Sequence, residues 1–210
     1  IKCRKAGISP KLTVLVATAQ ALKMHGGVNE KEIKLPNVEG VRRGLANMDK
    51  HIANMQHMGQ RVIVTLNRFG NDTEEEIAIV SEHCEKLGIG FAVNEAYMKG
   101  SEGCMDLAQL AIDEIAAHPS EDIAYCYTDE ANVKDKITAV AKQIYGAKQV
   151  VFKKQALEML ERIAKWNLER YPVCIAKTQY SLSDAAKRHG VPKDFTFTIR
   201  DLVILSLIHI

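Results

Sequence analysis

Apolar positions along the chain fall into two kinds of run. Leu12–Ala19 (LTVLVATA), Arg61–Leu66 (RVIVTL) and Ile89–Val93 (IGFAV) are short, rich in β-branched residues and apolar on both alternating faces. That is the pattern of strands buried within a parallel sheet. Between them the period changes. Val38, Val41, Leu45, Met48, Ile52 and Met55 recur at steps of three and four, as do Ile77, Val80, Cys84 and Leu87. Each set paints one face of a helix. The second helix is predicted to open on Thr73-Glu74-Glu75-Glu76, a capping box with acids at the positive end of the helix dipole, and to close at Gly88.

Strand, helix, strand, helix, strand predicts an α/β fold: a parallel sheet with flanking helices. Ligands of such sheets bind beyond the carboxyl ends of the strands. The loops leaving those ends are 20–27, 67–72 and 94–103, and chemistry is expected there. The second half continues in shorter pieces. A helix is expected over Met105–Ala117 and strands over Ile123–Tyr127, Val173–Ala176 and Phe195–Ile199. Further helix faces run through Val133, Ile137, Val140 and Ile144, and through Leu157, Leu160 and Ile163. The expected division is a larger α/β region over 1–118 and a smaller one over 119–204.

Composition narrows the function classes. The 210 residues are 47% hydrophobic and 26% charged, and the net charge is +2. Such a balance suits a globular protein and gives no electrostatic ground for a nucleic-acid or membrane-surface partner. No apolar run approaches the ~20 residues of a membrane span. Cys3, Cys84, Cys104, Cys126 and Cys174 form no C-x-x-C pair, which fits reduced thiols in a cytoplasmic protein. Ile1 is not Met, so the chain reads as a piece of something longer.

The simplest nucleotide signatures are missing. No Gly-Lys dipeptide occurs, so G-x-x-x-x-G-K-[ST] is absent, and Gly88-Ile89-Gly90 lacks the third glycine of a dinucleotide fingerprint. No H-x-x-x-H spacing exists, and no metal site is expected. Three loop segments carry candidate chemistry. In Leu22–Gly27, Lys23 and His25 can meet an anion while Gly26 and Gly27 allow close backbone approach, or the segment is a turn with solvated charges. In Asn67-Arg68-Phe69-Gly70-Asn71-Asp72, an aromatic follows a buried strand. In Tyr97–Gly103, a second aromatic precedes the turn of Lys99 and Gly100. Either ring alone reads as packing. Two at neighbouring strand ends suit the walls of a flat ligand equally well.

Val16–Gly27 reads V-A-T-A-Q-A-L-K-M-H-G-G. This resembles a signature of the formate–tetrahydrofolate ligases, roughly V-A-T-[IV]-R-A-L-K-x-[HN]-G-G. Ile1–Arg4, Asn67–Phe69, the Lys99–Gly103 loop and Ala176–Asp184 are similar to further segments of that family, in the same order. The resemblance extends from Ile1 to about Ile204.

The resemblance implies a part of an α/β enzyme with a P-loop-type nucleotide domain. Such an enzyme joins formate to tetrahydrofolate through formyl phosphate, with ATP and Mg2+, and bacterial members use a monovalent cation and assemble as homotetramers. Phe69 and Tyr97 stand where the family places the two aromatics that sandwich the folate ring. Asn67, Arg68, Lys99, Gly100, Lys23, His25, Gly26 and Gly27 fall in the anion and nucleotide loops. The resemblance places the phosphate-binding lysine upstream of Ile1, so the 210-residue chain is expected to be inactive alone. Ala19 and Gln20 stand where the signature has Ile or Val and Arg, Gly70 where Pro is common, and Ser101 and Cys104 where glycines are. Leu205–Ile210 departs from the family's small-residue continuation and is expected to be a non-native tail. The other readings are an inactive paralogue or binding module of the same fold, and an unrelated nicotinamide enzyme, against which the missing G-x-G-x-x-G counts.

Overall fold

A computed structural model of the chain describes residues 6–177 and 182–205. They form two compact units. One comprises residues 6–124 with His189–Val191, and the other the described residues of 125–188 and 192–205.

The first unit holds a parallel sheet of β1 (Thr13–Ala17), β2 (Val62–Asn67) and β3 (Gly90–Asn94), in that order, with Ala17 opposite Leu66 and Asn67 opposite Asn94. The three apolar runs are thus strands, and β2, between two partners, is the one buried almost end to end. The sheet packs against α1 (Ala19–His25), α2 (Val38–His57) and α3 (Glu74–Lys86). Val62, Val64 and Leu66 meet Leu22, Val41, Leu45, Met48, Ile52, Ile77, Val80 and Cys84 in one core. Strand alternation turns Ile63 the other way, toward Leu110 of α5 (Met105–Ala117).

The capping box of α3 forms as expected: Thr73 Oγ1 accepts from the Glu76 amide at 3.2 Å, and Glu76 Oε2 accepts from the Thr73 amide at 3.1 Å. Gly88 ends this helix with φ at +66°, a left-handed conformation that glycine tolerates.

Segment 20–27 is not a loop. The strand stops at Ala17 because Thr18 caps α1, its hydroxyl accepting from the Ala21 amide at 3.0 Å. The following Ala-Gln-Ala-Leu-Lys-Met favours helix. After β3, α4 (Ala96–Lys99) and a 3₁₀ turn (Gly100–Cys104) lead into α5.

The second unit packs α6 (Val133–Gln143) and α7 (Lys154–Lys165) with a two-stranded parallel sheet of β4 (Gln149–Phe152) and β5 (Thr196–Ile199). The expected strands at 123–127 and 173–176 do not form. Both are irregular, since an apolar run becomes a strand only beside a partner edge. β4 takes that place instead. The fully buried Lys136 ammonium donates to the carbonyls of Asp129 and Glu169 at 2.9 Å and Tyr171 at 3.3 Å, and thereby ties α6 to two loops. Thr178–Ser181 of the family-like polar run and Ser206–Ile210 of the expected tail lie outside the described residues.

Candidate functional site

The carboxyl ends of β2 and β3 bring six of the candidate residues to one place. Asn67 and Asn94 are register partners, and the Asn94 amide group donates to Asn67 Oδ1 at 2.9 Å. Asn94 Oδ1 accepts from the Ala96 amide at 2.9 Å, which starts α4 directly at the strand end. The Arg68 amide donates to the Asn94 carbonyl at 3.0 Å, so the two segments stay joined one residue beyond the sheet.

Phe69 follows on a tight turn. Its amide donates to Asp72 Oδ2 at 2.8 Å, and the Asp72 amide donates to the Phe69 carbonyl at 3.0 Å. Asp72 is 5% exposed, and its Oδ1 is buried without a hydrogen-bond partner among the described residues. With its backbone so held, residue Phe69 remains 42% exposed and Tyr97, on α4, 96% exposed. Neither ring is spent on the core. Water-facing aromatics of this size at adjacent strand ends are free to cover a flat apolar ligand.

Charged side chains link the segments that carry the rings. Arg68 Nη2 lies 2.5 Å from Glu74 Oε1, and Nη1 lies 3.5 Å from Glu95 Oε1. Lys99 Nζ donates to Glu95 Oε2 at 2.5 Å. The Lys99 hydrogen bond foremost, with the nearby Lys99 and Arg68 charges, holds the Glu95 carboxyl below the usual carboxylate range against its desolvation. Gly100 follows at φ +62°.

The other four candidates are engaged elsewhere. The Lys23 side chain is fully buried, and its ammonium donates to Glu76 Oε1 and to the Leu35 carbonyl, both at 2.9 Å. An ammonium so enclosed is out of reach of an anion arriving from solvent. Gly26 serves helix packing instead of ligand approach: a Cβ there would sit 1.9 Å from the Gly40 carbonyl oxygen of α2, and its own carbonyl accepts from Arg43 Nε at 2.8 Å. Gly27 turns the chain out of α1 at φ +82°. His25 Nδ1 accepts from the Gly190 amide at 3.1 Å, and Asn47 donates to the Gly190 carbonyl at 2.8 Å.

Sequence reasoning missed Glu76, whose role exceeds capping. Its Oε1 accepts from both Lys23 and the Asn37 amide, the latter at 2.7 Å. Burial works to raise its pKa, but the hydrogen bonds from Asn37, Lys23 and Thr73, with the Lys23 charge, outweigh it and hold the carboxyl below its usual range. A capping-box glutamate gives no local sign that a lysine 53 positions away will share it. Among the described residues no group of three or more His, Cys, Asp or Glu is placed to hold a metal ion.

The fold defines a class: an α/β protein whose parallel sheet carries two exposed aromatics and a row of charged side chains on the segments that follow the carboxyl ends of β2 and β3. The family model described as Formate–tetrahydrofolate ligase matches residues 1–206. Similar curated proteins carry the same description. One from Parabacteroides distasonis is 54% identical over 204 residues, covering 97% of this chain and 37% of the relative. One from Porphyromonas gingivalis is 50% identical and one from Campylobacter concisus 47% identical, with the same shares covered. The chain belongs to the formate–tetrahydrofolate ligase family and spans 37% of the length of these relatives.

Proposed function

We propose that the chain is the folate-binding portion of a cytoplasmic, homotetrameric ligase that makes 10-formyltetrahydrofolate. In this reading ATP, entering with Mg2+, phosphorylates formate to formyl phosphate with release of ADP. The folate N10 amine attacks the formyl carbon, the C–O bond to phosphate breaks, and the amine loses its proton. The mixed anhydride makes phosphate a far better leaving group than the oxide or hydroxide that formate itself would have to expel. We assign none of this chain's residues to the magnesium or to a monovalent cation.

The observation that carries the reading is the exposure of Phe69 and Tyr97 on backbone segments tied to each other by Asn67, Arg68 and Asn94. Stacking a flat heteroaromatic between two rings contributes ~1 kcal/mol per ring beyond area burial. In the full-length ligase, Phe69→Ala is expected to raise the folate KM about tenfold, with the ATP KM and the melting temperature little changed. Tyr97→Ala should behave alike, and Tyr97→Phe should be mild because the ring is kept. An unchanged folate KM in both alanine variants would exclude the wall. The phosphate loop is absent from these 210 residues. The chain alone is therefore expected to show no formate-dependent release of ADP, because phosphoryl transfer depends on positioned charge.

A further inference from the structure

We infer that Arg68 is a positioning residue: a cross-loop clamp that sets the spacing of the Phe69 and Tyr97 rings, instead of a contact for a substrate anion. The inference rests on the folate-wall reading of those two residues.

Arg68 immediately precedes Phe69, and Glu95 stands two residues before Tyr97. The guanidinium reaches both sides at once, Nη2 to Glu74 on the first turn of α3 and Nη1 to Glu95 at the start of α4. Glu95 is held in turn by Lys99, four residues on, across Tyr97. The chain of charges therefore runs Glu74, Arg68, Glu95, Lys99 and spans the two segments that carry the rings. Two carboxylates already flank the guanidinium, one on each terminal nitrogen, which leaves its charge compensated. The Arg68 and Glu95 side chains are 27% and 19% exposed, so water screens this central pair less than an open surface pair, while Glu74 and Lys99 at its two ends stand in solvent.

Backbone bonds alone do not fix the rings. The Arg68 amide and the Asn67–Asn94 side chains join the loops at their roots. Beyond them, among the described residues, the ion network is the connection running from the Phe69 segment to the Tyr97 segment. Loss of either partner should let the two loops move independently, so that the wall must be ordered when the ligand arrives.

The test is a double-mutant cycle in the full-length ligase with Arg68→Gln, Glu95→Gln and the pair, with Phe69→Ala as reference. Two readouts are taken: amide hydrogen exchange at Phe69, Asp72 and Ala96 without ligand, and the KM for folate and for ATP. The clamp predicts faster exchange on both loops in each single variant, whichever loop carries the change. It also predicts a folate KM raised about three- to fivefold, the scale of a networked, partly exposed pair, with the ATP KM unchanged. The double variant should be no worse than the worse single. Unchanged exchange on the far loop overturns the clamp, whatever folate does. A double variant equal to the product of the singles also overturns it, because it marks two independent ligand contacts. If exchange responds as predicted while Phe69→Ala leaves the folate KM unchanged, the clamp stands as a structural tie and the folate wall is what has failed.

Discussion

A lysine beside a histidine and two glycines invites the reading of an anion loop, and at Lys23 that reading stops at the residue's own surroundings. What the sequence hides is the partner. Glu76 lies 53 positions away, and only the packing of α1 against α3 makes the two meet. A buried ion pair adds little net stability, yet removal of one member leaves an uncompensated charge. Lys23→Met is therefore expected to cost about 3–5 kcal/mol in urea unfolding. The double variant Lys23→Met/Glu76→Leu should recover part of that loss and no more, because the Leu35 carbonyl and the Asn37 and Thr73 amides lose their partners. The pH dependence follows from the direction of the Glu76 shift. Its folded pKa lies below the unfolded value, so its contribution is complete above the unfolded carboxylate pKa of about 4.3. That contribution is lost as pH falls through the lower folded value. Unfolding measured from about pH 6 down to pH 3 should show an acid limb that is shallower in Glu76→Gln. Cys84 reports on the same core. Burial, with the nearby Asp49 charge, pushes its thiol up to about 11. An aromatic disulfide reagent at neutral pH should thus label the exposed Cys174 quickly and Cys84 only on unfolding.

Helices long enough to show a period, and apolar runs that found a partner strand, the four-residue β5 among them, were legible in advance. The 20-residue α2 and the 13-residue α3 repeat their apolar face several times, and three apolar runs with partners became β1, β2 and β3. The seven-residue α1 and the four-residue β4 are too short to repeat a pattern. The runs at 123–127 and 173–176 carry strand-like residues without a neighbouring edge, so propensity had nothing to pair with. The glycines of α2 show what a pattern of apolar positions leaves out. A Cβ on Gly44 would lie 2.0 Å from the Leu22 carbonyl oxygen, a backbone atom that cannot rotate away. Gly44→Ala, usually favourable inside a helix, should here destabilise by about 1–3 kcal/mol through overpacking. A melt of this variant no lower than the parent's would contradict the close crossing of α1 over α2. The candidate site's own residues were easier to see than their connections. The aromatics and Arg68 were visible as strand-end residues, but the sharing of Arg68 between Glu74 and Glu95 depends on three separate segments meeting.

The first unit keeps a sheet with a bare flank. Parallel sheets are ordinarily covered on both faces. Here Val14 and Val16 on β1 are 40% and 55% exposed, and α5 has no buried residue while Met105, Ile112 and Ile115 face water. β1 also presents an edge with no strand partner among the described residues. The purified 210-residue chain is expected to self-associate, with a sedimentation coefficient that rises with concentration and strong binding of an apolar dye. A soluble monomer at high concentration with one cooperative melt would contradict this. The family could be read from ordered segments of sequence. An exposed apolar edge is also expected from three central-type strands without further partners, but which face stays open could not be read, because it depends on where the folded chain places its helices.

The three-way junction at Glu76 also constrains how the sequence can drift. Folded domains carry only about 5–15 kcal/mol of stability, so a step costing several of those is a large fraction of the reserve. Either member of the pair, changed first, passes through a variant with a lone charge in the core. Joint replacement by apolar residues removes the lone charge but still strips the Leu35 carbonyl and the Asn37 and Thr73 amides of their partners, and no single substitution leads there without the weakened intermediate. Positions 23 and 76 are therefore expected to change together or not at all, a frozen couple in the genetic record of the chain for which folding alone is sufficient cause.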